Sequence, residues 1–128
     1  MDEATTRAML QQFYETTVAD VAGASEIYAD DAVLEFPQGK ERIRGKANIS
    51  AFRSAYPANV TIEVHRITGR QDLWVNELTL RYEGTPMHVV SIMELRDGKI
   101  VRERNYYGDP WEPPTWRAQW VEPMETLA

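Results

Sequence analysis

Apolar residues recur every three or four positions in the first part of the chain and alternate with polar ones in the second, so periodicity alone predicts helices followed by strands. From Glu3 to Ala22, Leu10, Tyr14, Val18 and Val21, with Met9 and Phe13 beside them, form the stripe of a helix that Asp2 can cap. Gly23 interrupts it. Ser25 to Ala29 reads as a short second helix, and Asp30-Asp31 as a turn before a strand from Ala32 to Phe36, which Pro37 and Gly39 end. After Gly45 the pattern predicts a third helix, Ala47 to Tyr56, with Ile49, Phe52 and Tyr56 on one side and Pro57 as its stop. The stretches Val60 to Gly69, Leu73 to Glu83, Met87 to Arg96 and Lys99 to Tyr107 are rich in β-branched and aromatic residues and are separated by turn residues. Helices first and then a meander of long strands means an α+β fold: one curved, mostly antiparallel sheet with three N-terminal helices on one face.

The last two strands form a hairpin whose register can be counted. Asp97-Gly98 suits a tight two-residue turn, which pairs Arg96 with Lys99, Ile92 with Glu103 and His88 with Tyr107. Strict alternation then gathers His88, Val90, Ile92, Glu94, Val101, Glu103, Asn105, Tyr107 and Asp109 on one face, and leaves Ser91, Met93, Ile100, Arg102 and Arg104 among those on the other. A β-bulge would exchange the two sets, because a slip of one residue flips every side chain.

Composition narrows the function classes. A chain of 128 residues and 14.7 kDa with 43% apolar residues is expected to form a single domain, residues 1–128, with a Trp- and Pro-rich tail from about residue 109. The net charge of −6 and a pI near 4.9 disfavour a nucleic-acid partner. Without cysteine there is no disulfide or thiolate chemistry, and with two histidines a metal site would have to lean on carboxylates, so neither metal nor cofactor is expected. No basic stretch leads into an apolar run at the start and no apolar run is long enough to span a bilayer, so the expectation is a cytoplasmic protein without a membrane partner. In the tail, Pro114 suits the first turn of a short helix that places Trp116 and Trp120 four apart. With Trp111 they should cover either their own sheet or a second subunit, in a homodimer.

The phrases YADDAVLEFP, IRGKANISAF, MELRDGKI and RERNYYGDP, in that order and spacing, resemble the nuclear transport factor 2-like superfamily in its SnoaL-like branch, over about residues 5–110. The resemblance implies a cone of curved sheet closed by helices, with a ligand pocket inside and commonly a dimer formed through the sheet. That superfamily includes isomerases, cyclases, dehydratases and epoxide hydrolases, so fold leaves activity open. Closer comparison is possible with limonene epoxide hydrolases, which VHRITG, WVNELTL and RERNYY resemble. Matched on those phrases, the hydrolases' water-holding tyrosine and asparagine fall on Val33 and Glu35, their arginine and one aspartate on Leu78 and Leu80, and the other aspartate on Asn105. None of the five is retained, and two leucines cannot activate a water or protonate an epoxide.

These readings assemble a candidate pocket. Leu78 and Leu80 wall it, with Val90 and Ile92, and Asn105 and Tyr107 bring polar groups to its end. Glu35 is the candidate general base, a carboxylate whose pKa an apolar pocket would raise, although a solvent-facing strand residue is the other reading. Tyr107 could donate to a carbonyl or enolate oxygen, and His88 across from it could move a proton at neutral pH unless it is structural. Tyr14, from the first helix, and Asp109, after the last strand, complete the expected ligand contacts, Asp109 alternatively ending the strand. Glu94 and Glu103 are read as solvated, and Arg102 and Arg104 as charges of the opposite face. Two functions fit: a binding module for a small, mostly apolar molecule, or a cofactor-free isomerase, cyclase or dehydratase abstracting a proton next to a carbonyl.

Overall fold

Asp2 starts the first helix, α1 (Glu3–Thr16), by accepting a hydrogen bond from the Thr5 amide at 2.7 Å. In the computed structural model, which describes residues 1–56 and 59–125, this helix stops at Thr16 instead of running to Ala22. The cause is Asp20, whose side chain accepts from the Gly23 amide at 3.0 Å and caps a separate helix, α2 (Val21–Ala24). Val18 therefore leaves the buried stripe and is exposed. The expected second helix at Ser25 to Ala29 shrinks to a 3-10 turn over Ser25–Ile27, and strand β1 (Tyr28–Phe36) begins four residues earlier than the alternation suggested. Asp30 and Asp31 lie within β1, in the stretch where its pairing with the last strand shifts register between Tyr28 and Val33.

A 3-10 turn at Pro37–Gly39 leads into β2 (Glu41–Arg44), a four-residue edge strand with no apolar alternation to announce it. Helix α3 (Lys46–Ala55) follows Gly45, as expected, and the predicted stop at Pro57 lies outside the described residues. Four long strands complete the chain: β3 (Val60–Arg70), β4 (Leu73–Tyr82), β5 (Thr85–Arg96) and β6 (Lys99–Gly108). The sheet order is β2-β1-β6-β5-β4-β3, with β1 and β6 parallel and every other neighbour antiparallel. The α+β architecture and the helix-covered, mostly antiparallel sheet are as anticipated. Among the described residues no helix is long and apolar enough to cross a membrane.

Between β5 and β6, Asp97 and Gly98 take positive φ values of 52° and 75°, the tight turn the sequence called for, and Arg96 pairs with Lys99. Beyond it Leu95 pairs with Ile100 but Glu94 pairs with Arg102. Val101 is left out of the ladder as a bulge, and every pairing beyond it moves by one residue.

The core lies between α1, α3 and the inner sheet face. Leu10 and Ile49 from the helices meet Leu34, Trp74, Met93 and Ile100 from the strands, all fully buried. Each such side chain contributes about 1.5–3 kcal/mol from burial. Gly69 is required by Trp74: a Cβ there would lie 2.3 Å from the indole Cδ2 and 2.5 Å from the Leu73 carbonyl oxygen. After β6 the tail forms a 3-10 turn at Thr115–Trp120 behind Pro114. Its Trp111, Trp116 and Trp120 are 76%, 73% and 71% exposed, so the reading in which they cover their own sheet is overturned.

Candidate functional site

The Val101 bulge sets which side chains of the hairpin face inward. His88 pairs with Gly108, and it is Val89 that stands opposite Tyr107. Asn105 and Tyr107 keep the inner face, now beside Val89, Ser91 and Met93. His88 and Val90 are exposed on the other side, so His88 cannot meet Tyr107 across a pocket, and Val90 and Ile92 do not wall one.

Glu35 also faces away from the core. In β1 the inward residues are Leu34 and Phe36, whereas Glu35 sits on the outer face with Val33. Its Oε1 accepts from Arg102 Nε at 2.6 Å and from Arg104 Nε at 3.1 Å. The hydrogen bond from Arg102 is the chief cause that holds the Glu35 carboxyl below its ordinary range, which outweighs burial acting the other way. A general base in an apolar pocket is thereby excluded for Glu35. Arg102 and Arg104 do lie opposite Asn105 and Tyr107, as alternation placed them, but in a charge network with Glu35 and Glu94. Asp109 lies beyond the end of β6, is exposed and is not part of the lining of the cavity described below.

Of the remaining expected residues, Leu78 is buried in the core, Leu80 lines a cavity, and Tyr14 lies on the buried face of α1. The Tyr14 hydroxyl accepts from Asn76 Nδ2 at 3.0 Å, and burial drives its pKa far above the ordinary value. Tyr14 is thus a core residue and not a ligand contact.

Three polar side chains that the sequence did not single out for the site meet between the helices and the inner sheet face: Tyr28 of β1, Arg53 of α3 and Glu103 of β6. Glu103, read as solvated, is 2% exposed. Its Oε1 accepts from the Tyr28 hydroxyl, and its Oε2 from Arg53 Nη2 at 3.2 Å and Asn105 Nδ2 at 2.9 Å. Arg53 Nη2 also reaches the Tyr28 oxygen at 2.9 Å. Burial acts to lower the Arg53 pKa, but Tyr28 and Glu103 outweigh it and hold the guanidinium above its ordinary range. Burial keeps the Tyr28 phenol protonated far above the ordinary value. Asn105 Nδ2 also lies 3.4 Å from the Tyr107 oxygen. The Pro37–Gly39 turn fixes this end of β6: Gln38 Oε1 accepts from the Tyr107 amide at 2.7 Å.

Above this network opens a cavity of about 340 Å³. Thr17, Val18 and Val21 border it at the end of α1 and the start of α2, Phe52 and Arg53 from α3, Tyr56 just after α3, and Ile62, Leu80, Tyr82 and Tyr107 from the sheet. Aromatic rings line it: those of Tyr56 and Tyr82 lie 5.3 Å apart, and Phe52 and Tyr107 are backed by Phe36, which packs against them at 5.6 Å and 6.2 Å. Burial raises the pKa of Tyr107 and pushes that of Tyr82 up to about 12, so both phenols are neutral donors at physiological pH. Among the described residues no carboxylate lines the cavity, and no three His, Asp or Glu side chains converge as metal ligands. A wider recess of about 420 Å³ lies between α1, α2 and the hairpin tip. Asp20, Glu26 and Lys99 border it, and none of the buried unpartnered side-chain atoms belongs to its lining.

A model of the SnoaL-like domain matches residues 8–103. The chain belongs to the SnoaL-like family. Within reach of this SnoaL-like chain is the Bacillus subtilis (strain 168) "Uncharacterized protein YesE", 31% identical over 112 residues that cover 73% of this chain and 71% of that one. Among solved structures, an NTF-2 like protein of unknown function from Burkholderia xenovorans LB400 is 42% identical with a TM-score of 0.88, covering 97% of this chain and 98% of that one. A protein from Kribbella flavida DSM 17836, described as a candidate ketosteroid isomerase, is 25% identical with a TM-score of 0.85, covering 95% and 91%.

Signals for the missed residues exist in the sequence. Arg53 falls four after Ile49, on the inner stripe of α3 between Phe52 and Tyr56, where a charge needs a buried partner. The helix-like pattern of Ser25 to Ala29 hides Tyr28, the first residue of β1. Strict alternation put Arg102 and Arg104 on one face with Met93, Leu95 and Ile100, a conflict that itself marks the bulge.

Proposed function

We propose that this SnoaL-like protein binds a small, mostly apolar molecule in the 340 Å³ cavity between α3 and the inner sheet face. One observation carries the reading: an aromatic and aliphatic wall converges on Arg53, Tyr82 and Tyr107, which have donors to give, and among the described residues no carboxylate lines it. Such a lining gives affinity through apolar burial and orientation through a few polar contacts, and the volume suits a small molecule.

Proton abstraction next to a carbonyl, which the Kribbella flavida relative's description would suggest, has weaker support. Arg53 and Tyr107 could polarise a carbonyl, but a base is also needed. Glu35 and His88 face outward, and Glu103 already accepts hydrogen bonds from three protein donors. That carboxylate orders the site.

The test is a neutral naphthylamine probe whose fluorescence rises in apolar surroundings. The wild type should bind it and Leu80→Trp, which fills the cavity, should not, while Gln12→Trp in the outer recess should bind as the wild type does. Equal binding by the wild type and Leu80→Trp overturns the reading, and loss in Gln12→Trp alone moves the site to the outer recess.

A further inference from the structure

Resting on that reading of the cavity, we infer that its occupant presents an uncharged oxygen acceptor, a ketone, ester or lactone carbonyl, to Arg53 and Tyr107, and that Glu103 makes the site discriminate against carboxylates. The donors come first. A guanidinium carries five N–H groups, and both bonds from Arg53 to Tyr28 and Glu103 leave from Nη2. Its Nη1 makes no hydrogen bond among the described residues and, unlike the enclosed Nε, keeps accessible surface. Tyr107 uses its oxygen to accept from Asn105, which leaves its own proton to give. Arg53 and Tyr107, with Tyr82 beside them, therefore bring unspent donors to one cavity.

Charge then selects among acceptors. The positive charge of Arg53 is already matched by Glu103 at 3.2 Å, so the floor of the cavity is neutral as a unit. A carboxylate entering it would shed its hydration in an apolar cavity and meet a cation whose field is largely cancelled, whereas a carbonyl gains the same hydrogen bonds at far smaller desolvation cost. The net charge of −6 adds to the bias against anions.

Three ligands of similar carbon frame separate the possibilities: acetylcyclohexane, cyclohexanecarboxylate and ethylcyclohexane, each used to displace the neutral naphthylamine probe. In the wild type the ketone should displace it at concentrations about tenfold below either of the others, the equivalent of one net hydrogen bond. Tyr107→Phe and Arg53→Gln should each narrow the ketone's lead over the hydrocarbon. Glu103→Gln, by unmasking Arg53, should place the carboxylate ahead of the ketone. Should Glu103→Gln not fold, the wild-type order and Tyr107→Phe, which keeps the ring, decide. A wild type that prefers the carboxylate, or treats ketone and hydrocarbon alike, overturns the inference. If none of the three displaces a probe that Leu80→Trp no longer holds, the cavity stands and the assignment of its polar end falls.

Discussion

Arg53 of α3 and Glu103 of β6 form an ion pair at 3.2 Å in which only 3% of the glutamate side chain is exposed. Removing one partner of a buried pair strands the other charge. Arg53→Met should therefore cost about 3–5 kcal/mol in urea unfolding, and Arg53→Met with Glu103→Leu should cost less than Arg53→Met alone. A double variant as unstable as the sum of its parts would show that the two side chains do not act as a pair.

The tyrosines predict an alkaline limit. Burial raises the pKa of Tyr14, Tyr28 and Tyr107 and takes Tyr82 to about 12, while the unfolded chain ionises near the ordinary value of 10.0. The neutral phenols' contribution is complete below about pH 10 and lost as pH rises through the folded values, because ionisation then favours the unfolded chain. The thermal midpoint should fall from about pH 10 upward. Absorbance at 295 nm should show that a share of the six tyrosines ionises only with unfolding. Full ionisation of all six in the ordinary range, with the fold intact, would contradict the burial.

For Glu35 the expectation is a small effect. Its folded pKa is lowered by Arg102 and Arg104, so its contribution is present above the ordinary carboxylate value and lost as pH falls through the folded one. The two arginines are partly exposed, which limits the pair's worth: Glu35→Gln should cost less than about 1 kcal/mol and leave probe binding unchanged. Loss of probe binding in that variant would return Glu35 to the site.

Gly69→Ala should destabilise by about 1–3 kcal/mol, because the new methyl meets the Trp74 indole and the Leu73 carbonyl, neither of which can swing away. Chemical denaturation measures the loss, and a red shift of the buried Trp74 emission should accompany it. A neutral substitution would mean that the β3–β4 turn adjusts freely.

The tail is testable by quenching. Trp111, Trp116 and Trp120 are exposed and Trp74 is fully buried, so acrylamide should reach three of the four indoles in dilute solution. If the tail is the contact between two copies, raising the protein concentration should shield Trp116 and Trp120. Trp116→Ser with Trp120→Ser should then keep the quenching independent of concentration while unfolding within about 0.5 kcal/mol of the wild type.

The fold was legible because its evidence is repetitive: α3, the four long strands and the Asp97-Gly98 turn each rest on several residues in agreement. The site was only partly legible because it depends on single irregularities. Asn105, Tyr107 and Leu80 take the inner face even though the hairpin was counted one residue out beyond its turn, since Val101 is apolar and half-buried and looks like any alternating strand residue. Glu35 becomes a candidate through the match to the hydrolases' water-holding pair, whereas its partners Arg102 and Arg104 come from a strand far away in sequence. Arg53 and Glu103 lie 50 residues apart, and nothing local announces that they meet.

Val101 separates the chemistry of β6 from its composition. A hairpin shortened by this one residue would send Glu103, Asn105 and Tyr107 inward by plain alternation, whereas a hairpin of the present length drawn straight would turn Arg102, Arg104 and Tyr106 toward the core. Strand length, read from the turn, thus acts as a selector between two interiors written into the same residues. Anyone transplanting this hairpin into another SnoaL-like scaffold must carry the bulge with it or delete Val101, because keeping the residue without the bulge would deliver guanidinium groups where the network beneath the cavity needs an acid, an amide and a phenol.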